Sequence, residues 1–245
     1  MRPSELHRHF RELPLASLAA LAGDTAAVIL APHQDDESLG CGGLIAAACQ
    51  AGMPPLVVFI TDGAASHPGS RRFGPAARCA IREQEARNSA AVLGLTDDRL
   101  VFLRLPDGAA PHDGVAFDAA VLRIVQLVER ESSRAIFAPW QHDPHGDHVA
   151  AYRMAKAAAG RTGARLLSYP IWGWTLSDET ELPDALPNGM RLDIAGQLGV
   201  KRAAIAAHAS QHGKVITDDP GGFTISAEFL ALFDVPFEVF LWDAA

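Results

Sequence analysis

Two short runs hold most of the residues able to do chemistry. In APHQDDESLGCGG (31–43), His33, Asp35, Asp36 and Glu37 fall together directly after the apolar run AAVIL. In QHDPHGDH (141–148), His142, His145 and His148 lie close together beside further carboxylates. Zinc binds imidazole and carboxylate, and a catalytic zinc site has three protein ligands with one position open for water. A His, Asp, His set meets that count. His33 and Asp36 are one tight turn apart, so both can face one cation. Asp35, between them, is left free beside the water as a general base. The second run then supplies one more ligand, with His142, His145 and His148 as candidates; His148 begins a helical pattern that would hold it rigidly. The ordinary alternatives are a plain loop histidine and aspartates that cap a helix starting near Ser38, where negative charge favours the dipole.

The elements that must position these runs alternate. Apolar strands are expected over 26–33, 55–63, 99–108, 134–140 and 164–172. Helical patterns follow over 38–52, 74–95, 117–131 and 146–160, with Ser38 as a cap and Gly52 and Gly94 as stops. Continuous apolar strands, each followed by a helix, predict a parallel sheet covered on both faces. The fold class is therefore α/β, a Rossmann-like three-layer fold with a mostly parallel central sheet. Ligands of such sheets sit at the carboxyl ends of the strands, which puts both runs on one edge. Asp62 ends the second strand on that edge and either contacts substrate or caps its loop. Beyond Trp174 the pattern loosens: a polar excursion (175–189), a strand at MRLDI, a helix over 198–212, a loop at ITDDPGGF and a last strand at FEVFLW. One domain over 1–245 is expected, with a core at 26–174 and C-terminal helix and strand additions at 175–245.

These motifs resemble those of the LmbE-like, or PIG-L, N-acetylglucosamine deacetylases. APHQDDESLGCGG resembles the P-H-x-D-D-E signature with its trailing glycines. HGDH (145–148) resembles the family's H-x-D-H or H-x-x-H element. Arg82-Glu83-Gln84-Glu85-Ala86, followed by Leu93-Gly94, resembles its R-x-x-E-A…L-G helix. The likeness runs in order from 26 to about 160. It implies zinc, or another divalent metal such as Fe2+, on His33, Asp36 and His148. It implies Asp35 as general base, His145 as the electrophilic or acid partner that stabilises the oxyanion, and Arg82 reaching substrate hydroxyls. The implied substrate is a small N-acylated amino sugar, and the implied reaction is hydrolysis of its amide.

Other residues carry weaker expectations. Asp147 either orients a ligand histidine from behind or occupies the first turn of the helix at 146–160. His208 and His212 have the spacing of a two-histidine zinc face but lack the H-E-x-x-H glutamate. Trp140, Trp172 and Trp174 flank the functional edge, and Phe73 with the last two hints at an apolar or ring-shaped partner. Gly40, Gly42 and Gly43 do not spell a dinucleotide loop. Specificity loops are expected in 64–76, 106–116 and 175–190.

Composition narrows the class. The net charge is −8 and the basic residues do not cluster, which argues against nucleic acid or an anionic membrane as partner. No apolar stretch approaches the roughly 18 residues of a membrane span, so stable membrane insertion is not expected. Three cysteines without a CxxC pair point to a reduced, cytoplasmic setting. Homo-oligomerisation is left open. Three rivals remain at this level: hydrolysis of another small amide or an ester, a non-catalytic metal-binding protein, and a receiver-like signalling domain with Asp107 as phosphoacceptor. The last lacks a lysine after its fifth strand, and Asp35 has no purpose in a storage site.

Overall fold

The structure, a computed structural model, describes residues 2–182 and 185–242. The N-terminal part contains helix α1 (Pro3–Glu12), the short strand β1 (Leu15–Ala16) and helix α2 (Leu18–Ala22). The alternating body follows as β2 (Val28–Ala31), α3 (Asp36–Gln50), β3 (Leu56–Thr61), α4 (Pro75–Leu93), β4 (Leu100–Leu105), α5 (Gly114–Arg130), β5 (Ala135–Pro139), α6 (Gly146–Thr162) and β6 (Arg165–Tyr169). The chain closes with β7 (Asn188–Asp193), α7 (Leu198–Ala206), α8 (Ala227–Phe233) and β8 (Phe237–Trp242).

Among the described residues, eight strands form one sheet in the order β1-β7-β8-β6-β5-β2-β3-β4. Every pairing is parallel except those of β8, which runs antiparallel to β6 and β7. The α/β expectation holds: helices cover both sides of a mostly parallel sheet. The strands are apolar throughout because alternate residues face two different cores. Ile29, Val57, Phe59 and Phe137 join α3, α4 and α7 in one core. Val28, Leu30, Val58, Ile60 and Ile136 join α5 and α6 in the other.

Several boundaries differ from the sequence reading. Helix α3 starts at Asp36, with Asp35 in the capping position, so Ser38 is not the cap; its Oγ donates to Asp35 O at 2.8 Å. The helix expected over 198–212 ends at Ala206, and a 3-10 turn over Ala209–His212 follows. Helices α1 and α8 were not anticipated. Each is short and buries only a narrow stripe, Pro3, Leu6 and Phe10 in α1 and Phe229 and Phe233 in α8. Within the polar excursion, Pro183 and Asp184 lie outside the described residues, as do residues 243–245 of the C-terminal addition. Among the described residues, no helix is long and apolar enough to cross a membrane.

The glycines after the first motif serve packing. A Cβ on Gly40 would lie 2.2 Å from Tyr169 Cδ2, and one on Gly43 would lie 2.4 Å from Ile194 Cγ2. These gaps let α3 press against β6 and against Ile194, which precedes α7. Glu238 of β8 completes the contact: its carboxylate accepts the Gly43 and Leu44 amides at 2.7 and 2.8 Å and pairs with Lys201 at 2.7 Å. The helix carrying the first motif is thus anchored from the far end of the chain.

Candidate active site

The site forms where β2 and β5, neighbours at the centre of the sheet, release their chains. His33 follows β2, and His145, Asp147 and His148 open α6 after β5. His33 Nδ1 and His148 Nε2 approach the same oxygen, Asp36 Oδ2, at 3.2 and 3.3 Å. One donor atom from each of His33, Asp36 and His148 lies within 4.8 Å of the others. His148 Nε2 is buried and makes no hydrogen bond. A buried imidazole nitrogen without a hydrogen-bond partner among the described residues, facing a carboxylate and a second imidazole, fits a cation ligand. Two imidazoles and one carboxylate also suit zinc. A second grouping, His33, His145 and Asp147, meets the same distance test. Its members also bond to one another: His33 Nε2 meets Asp147 Oδ2 at 3.1 Å, and the Asp147 backbone N donates to His145 Nδ1 at 3.2 Å.

The carboxylates behind the histidines are unequal. Asp143 Oδ2 lies 2.9 Å from His148 Nδ1 and accepts the Ile171 and Trp172 amides at 3.1 Å each, while Oδ1 accepts Gly173 N at 2.7 Å. Asp143 therefore fixes the ring of His148 and ties it to the chain leaving β6. Asp147 does the same for His33 and accepts the Gly108 and Ala110 amides at 2.8 and 2.9 Å. Its first-turn position and its contact with a histidine coexist. Asp143 was missed in sequence because nothing there separates it from Asp147.

Charge follows geometry. Burial works to lower the pKa of His33, but Asp107, Asp147 and Asp36 outweigh it and hold the group well above its ordinary value. Burial opposes Asp36 in the same way, yet His148 and His33 bring its carboxyl well below the usual range. His148 rises to about 9, with Asp36 and Asp143 overcoming burial. Asp147 falls to about 2, against burial, through His33 and its backbone donors. Asp35 goes the other way: burial pushes it up to about 6 despite the Arg82 guanidinium, whose Nη2 lies 3.2 Å from Asp35 Oδ2. Burial and the charges on His33 and His148 lower His145.

Asp35 occupies the capping position of α3 without making a side-chain capping bond. Its loop is held from below by Glu37, which was quoted in sequence but given no role. Glu37 Oε2 accepts Asp35 N at 3.0 Å, and Oε1 meets His208 Nε2 at 3.2 Å. His208 is thus spent on Glu37. His212 Nε2 meets Ile205 O at 3.1 Å, so these two histidines do not form a metal face.

A cavity of about 280 Å³ opens over this cluster, lined by His33, Asp35, Asp36, Arg82, Asp107 and His145 among others. Arg82 is buried, so in this geometry it holds Asp35 and the Gln34 carbonyl. Asp62 is not among the lining residues; its carboxylate caps its own loop by accepting Ala64 N at 2.9 Å. Trp140 packs edge-on against Phe10 in the core, whereas Trp172 reaches the cavity. Of the expected specificity loops, 64–76 and 106–116 contribute Ala65, Ser66, Asp107 and Gly108. The described residues of 175–190 do not line this cavity. Their place is taken by Phe223, Ile225 and Phe229.

A comparison with known protein families matches residues 28–159, more than half of the chain, to PIG-L, GlcNAc-PI de-N-acetylase. The chain belongs to the PIG-L family. It is accordingly an enzyme of the deacetylase class, and a receiver-like signalling role falls away. Among solved structures, the conserved protein TT1542 from Thermus thermophilus is 26% identical, with a TM-score of 0.61 over 90% of this chain and 95% of that one. N,N'-diacetylchitobiose deacetylase from Pyrococcus horikoshii is 20% identical, with a TM-score of 0.62 over 85% of this chain and 79% of that one. A triple-mutant deacetylase of the teicoplanin biosynthetic pathway is 18% identical, with a TM-score of 0.68 over 89% and 97%. At those last two identities the likeness shows the fold. The family match covers the histidines, Asp35, Asp36 and Arg82, but stops short of Trp172 and Phe223.

Proposed function

We propose that this PIG-L member removes an N-acetyl or related N-acyl group from an N-acetylglucosamine-type sugar conjugate. His33, Asp36 and His148 would hold a divalent ion, zinc foremost. The observation that carries this is the buried His148 Nε2, without a hydrogen-bond partner among the described residues, facing Asp36 and His33, with the Arg82-held carboxylate of Asp35 lining the cavity beside them. The ion, when bound, supplies Lewis acidity toward the acyl carbonyl and an acidified water.

The residues of the chain account for the proton movements. Asp35, at about 6, is ionised near neutral pH and accepts the water's proton as its oxygen bonds to the acyl carbon. The carbonyl π pair moves onto oxygen. His145 Nδ1 already accepts the Asp147 amide, so the neutral ring carries its proton on Nε2 and can donate to that oxygen. Collapse breaks the C–N bond as Asp35 returns the water's proton to nitrogen, giving a carboxylic acid and a free amine and restoring the Asp35 carboxylate. Arg82 keeps Asp35 in place, and together with Asp107 and Ser66 it offers polar contacts for sugar hydroxyls. Three free cysteines support placing the enzyme in the cytoplasm.

The test is metal-loaded protein incubated with N-acetylglucosamine and N,N'-diacetylchitobiose, with the released primary amine quantified. Amine release that disappears with a chelator supports the reading. Cleavage of acetate esters without any amine release would replace it.

A further inference from the structure

The catalytic cavity does not end at the ligand cluster. It shares Trp172, Phe223, Ile225 and Phe229 with a second, larger space of about 550 Å³ that continues outward past Trp174 and Leu232. The two sides of the ligand cluster differ in chemistry. On the β3 and β4 side lie Ser66, Arg82, Asp107 and Gly108; on the β6 and α8 side lie Ile171, Trp172 and Phe229. His33, Asp36 and His148 follow β2 and β5, between these sides in the sheet order. The aromatic rings form a connected rail: Trp172 to Phe229 is 4.7 Å between centroids, and Trp172 to Phe223 is 6.0 Å. Phe223 is 36% exposed, a large apolar side chain left at the rim. Among the described residues lining the outer space there is no Lys or Arg, and Glu228 is the sole charged one.

An amide at the ligand cluster has its amine substituent on one side and its acyl chain on the other. With sugar hydroxyls on the polar β3 and β4 side, the acyl carbons point toward β6 and α8. We propose, building on the deacylase reading above, that this groove binds the N-acyl chain of the substrate. It favours an unbranched, uncharged alkanoyl group several methylenes longer than acetyl. Apolar, aromatic walls gain from each methylene withdrawn from water, by about fourfold when burial is complete. Glu228 and the lack of a cation disfavour a chain ending in carboxylate.

The experiment uses the full chain and two substrate series. One lengthens the acyl group from N-acetyl through N-butanoyl to N-octanoylglucosamine. The other keeps N-acetyl and lengthens the glycoside from methyl to octyl. The expected result is a kcat/KM that rises at least about tenfold from acetyl to octanoyl, with partial burial of the chain discounted, and stays nearly flat along the glycosides. N-succinylglucosamine should be poorer than N-butanoylglucosamine. Phe223→Ala should flatten the acyl series, bringing the octanoyl-to-acetyl ratio of kcat/KM down toward one. A flat or falling acyl series, or a preference that tracks the glycoside instead, overturns the proposal.

Calorimetric binding of N-octanoyl- and N-acetylglucosamine to metal-free protein separates the two readings. Tighter octanoyl binding that Phe223→Ala removes upholds the groove even if no amine is released, in which case the deacylase reading alone fails. Equal binding of the two sugars overturns the groove whatever the turnover.

Discussion

Asp35 and Asp36 are chemically identical neighbours with opposite electrostatic settings. Asp36 faces two imidazoles and lies well below the usual carboxylate range, whereas Asp35 is buried and stands at about 6. Asp35→Asn should therefore keep the bound metal, by elemental analysis, while kcat falls about 100-fold or more. Turnover within a few-fold of wild type would remove Asp35 as the base. Asp36→Ala should lose the metal itself. Asp143→Asn leaves the ligands intact but weakens the hold on His148 Nδ1, and metal affinity by competition titration should drop about 10- to 100-fold. The cluster was legible in sequence because its members sit within a few residues of two strand ends, where the α/β rule locates ligands. Asp143 and Glu37 were not. Their roles depend on partners at 148, 171–173 and 208, and such separations leave no local pattern.

Single elements carry their own strains and joints. Strand β4 shifts register between Phe59 and Thr61 of β3, and Arg104 there adopts a positive φ of 54°. Glu83 on α4 grips the Arg104 guanidinium with both oxygens, and that bond, more than burial opposes it, lowers the Glu83 pKa. A carboxyl lowered in the folded state stabilises fully above its unfolded value, near 4.5, and stops stabilising as pH falls through the folded one. The Tm advantage of wild type over Glu83→Gln should thus be level at neutral pH and shrink in melts taken below about 4.5. In α3, Gly40→Ala drives a methyl into the Tyr169 ring, which cannot retreat because its hydroxyl donates to Leu30 O at 2.6 Å. The expected cost is about 1–3 kcal/mol, read as a lower Tm. Gly160→Ala, with open space around it on α6, should leave Tm level or raise it. The long helices and buried strands were readable because their burial repeats along many residues. Helix α8 is too short to show a period, α1 has one in Pro3, Leu6 and Phe10 that was not read, and nothing in FEVFLW announces that β8 runs backwards.

At the scale of the molecule, the site is joined from distant pieces of chain. His33 and His148 leave adjacent strands, so a cation between them would tie those two exits together. Chelation should lower Tm by several degrees and zinc should restore it, since binding to the folded state alone adds about 2.7 kcal/mol at a hundred times Kd. An unchanged Tm on zinc addition would show that the cluster takes no ion. The residues of the proposed chemistry all lie between 33 and 148, whereas the aromatic wall comes from 172–232, past the end of the family match at 159. The chain passes between these halves at Gly163, the left-handed cap of α6. Recombination between family members at that residue would exchange the aromatic wall while keeping His33, Asp35, Asp36, His145 and His148, though it would also replace the 171–173 amides on Asp143 and His208 on Glu37. Such a chimaera must still bring Tyr169 onto Gly40 and the Lys201–Glu238 pair onto α3. Those few joints, more than the reaction itself, would decide which hybrids survive in a breeding experiment or in a lineage.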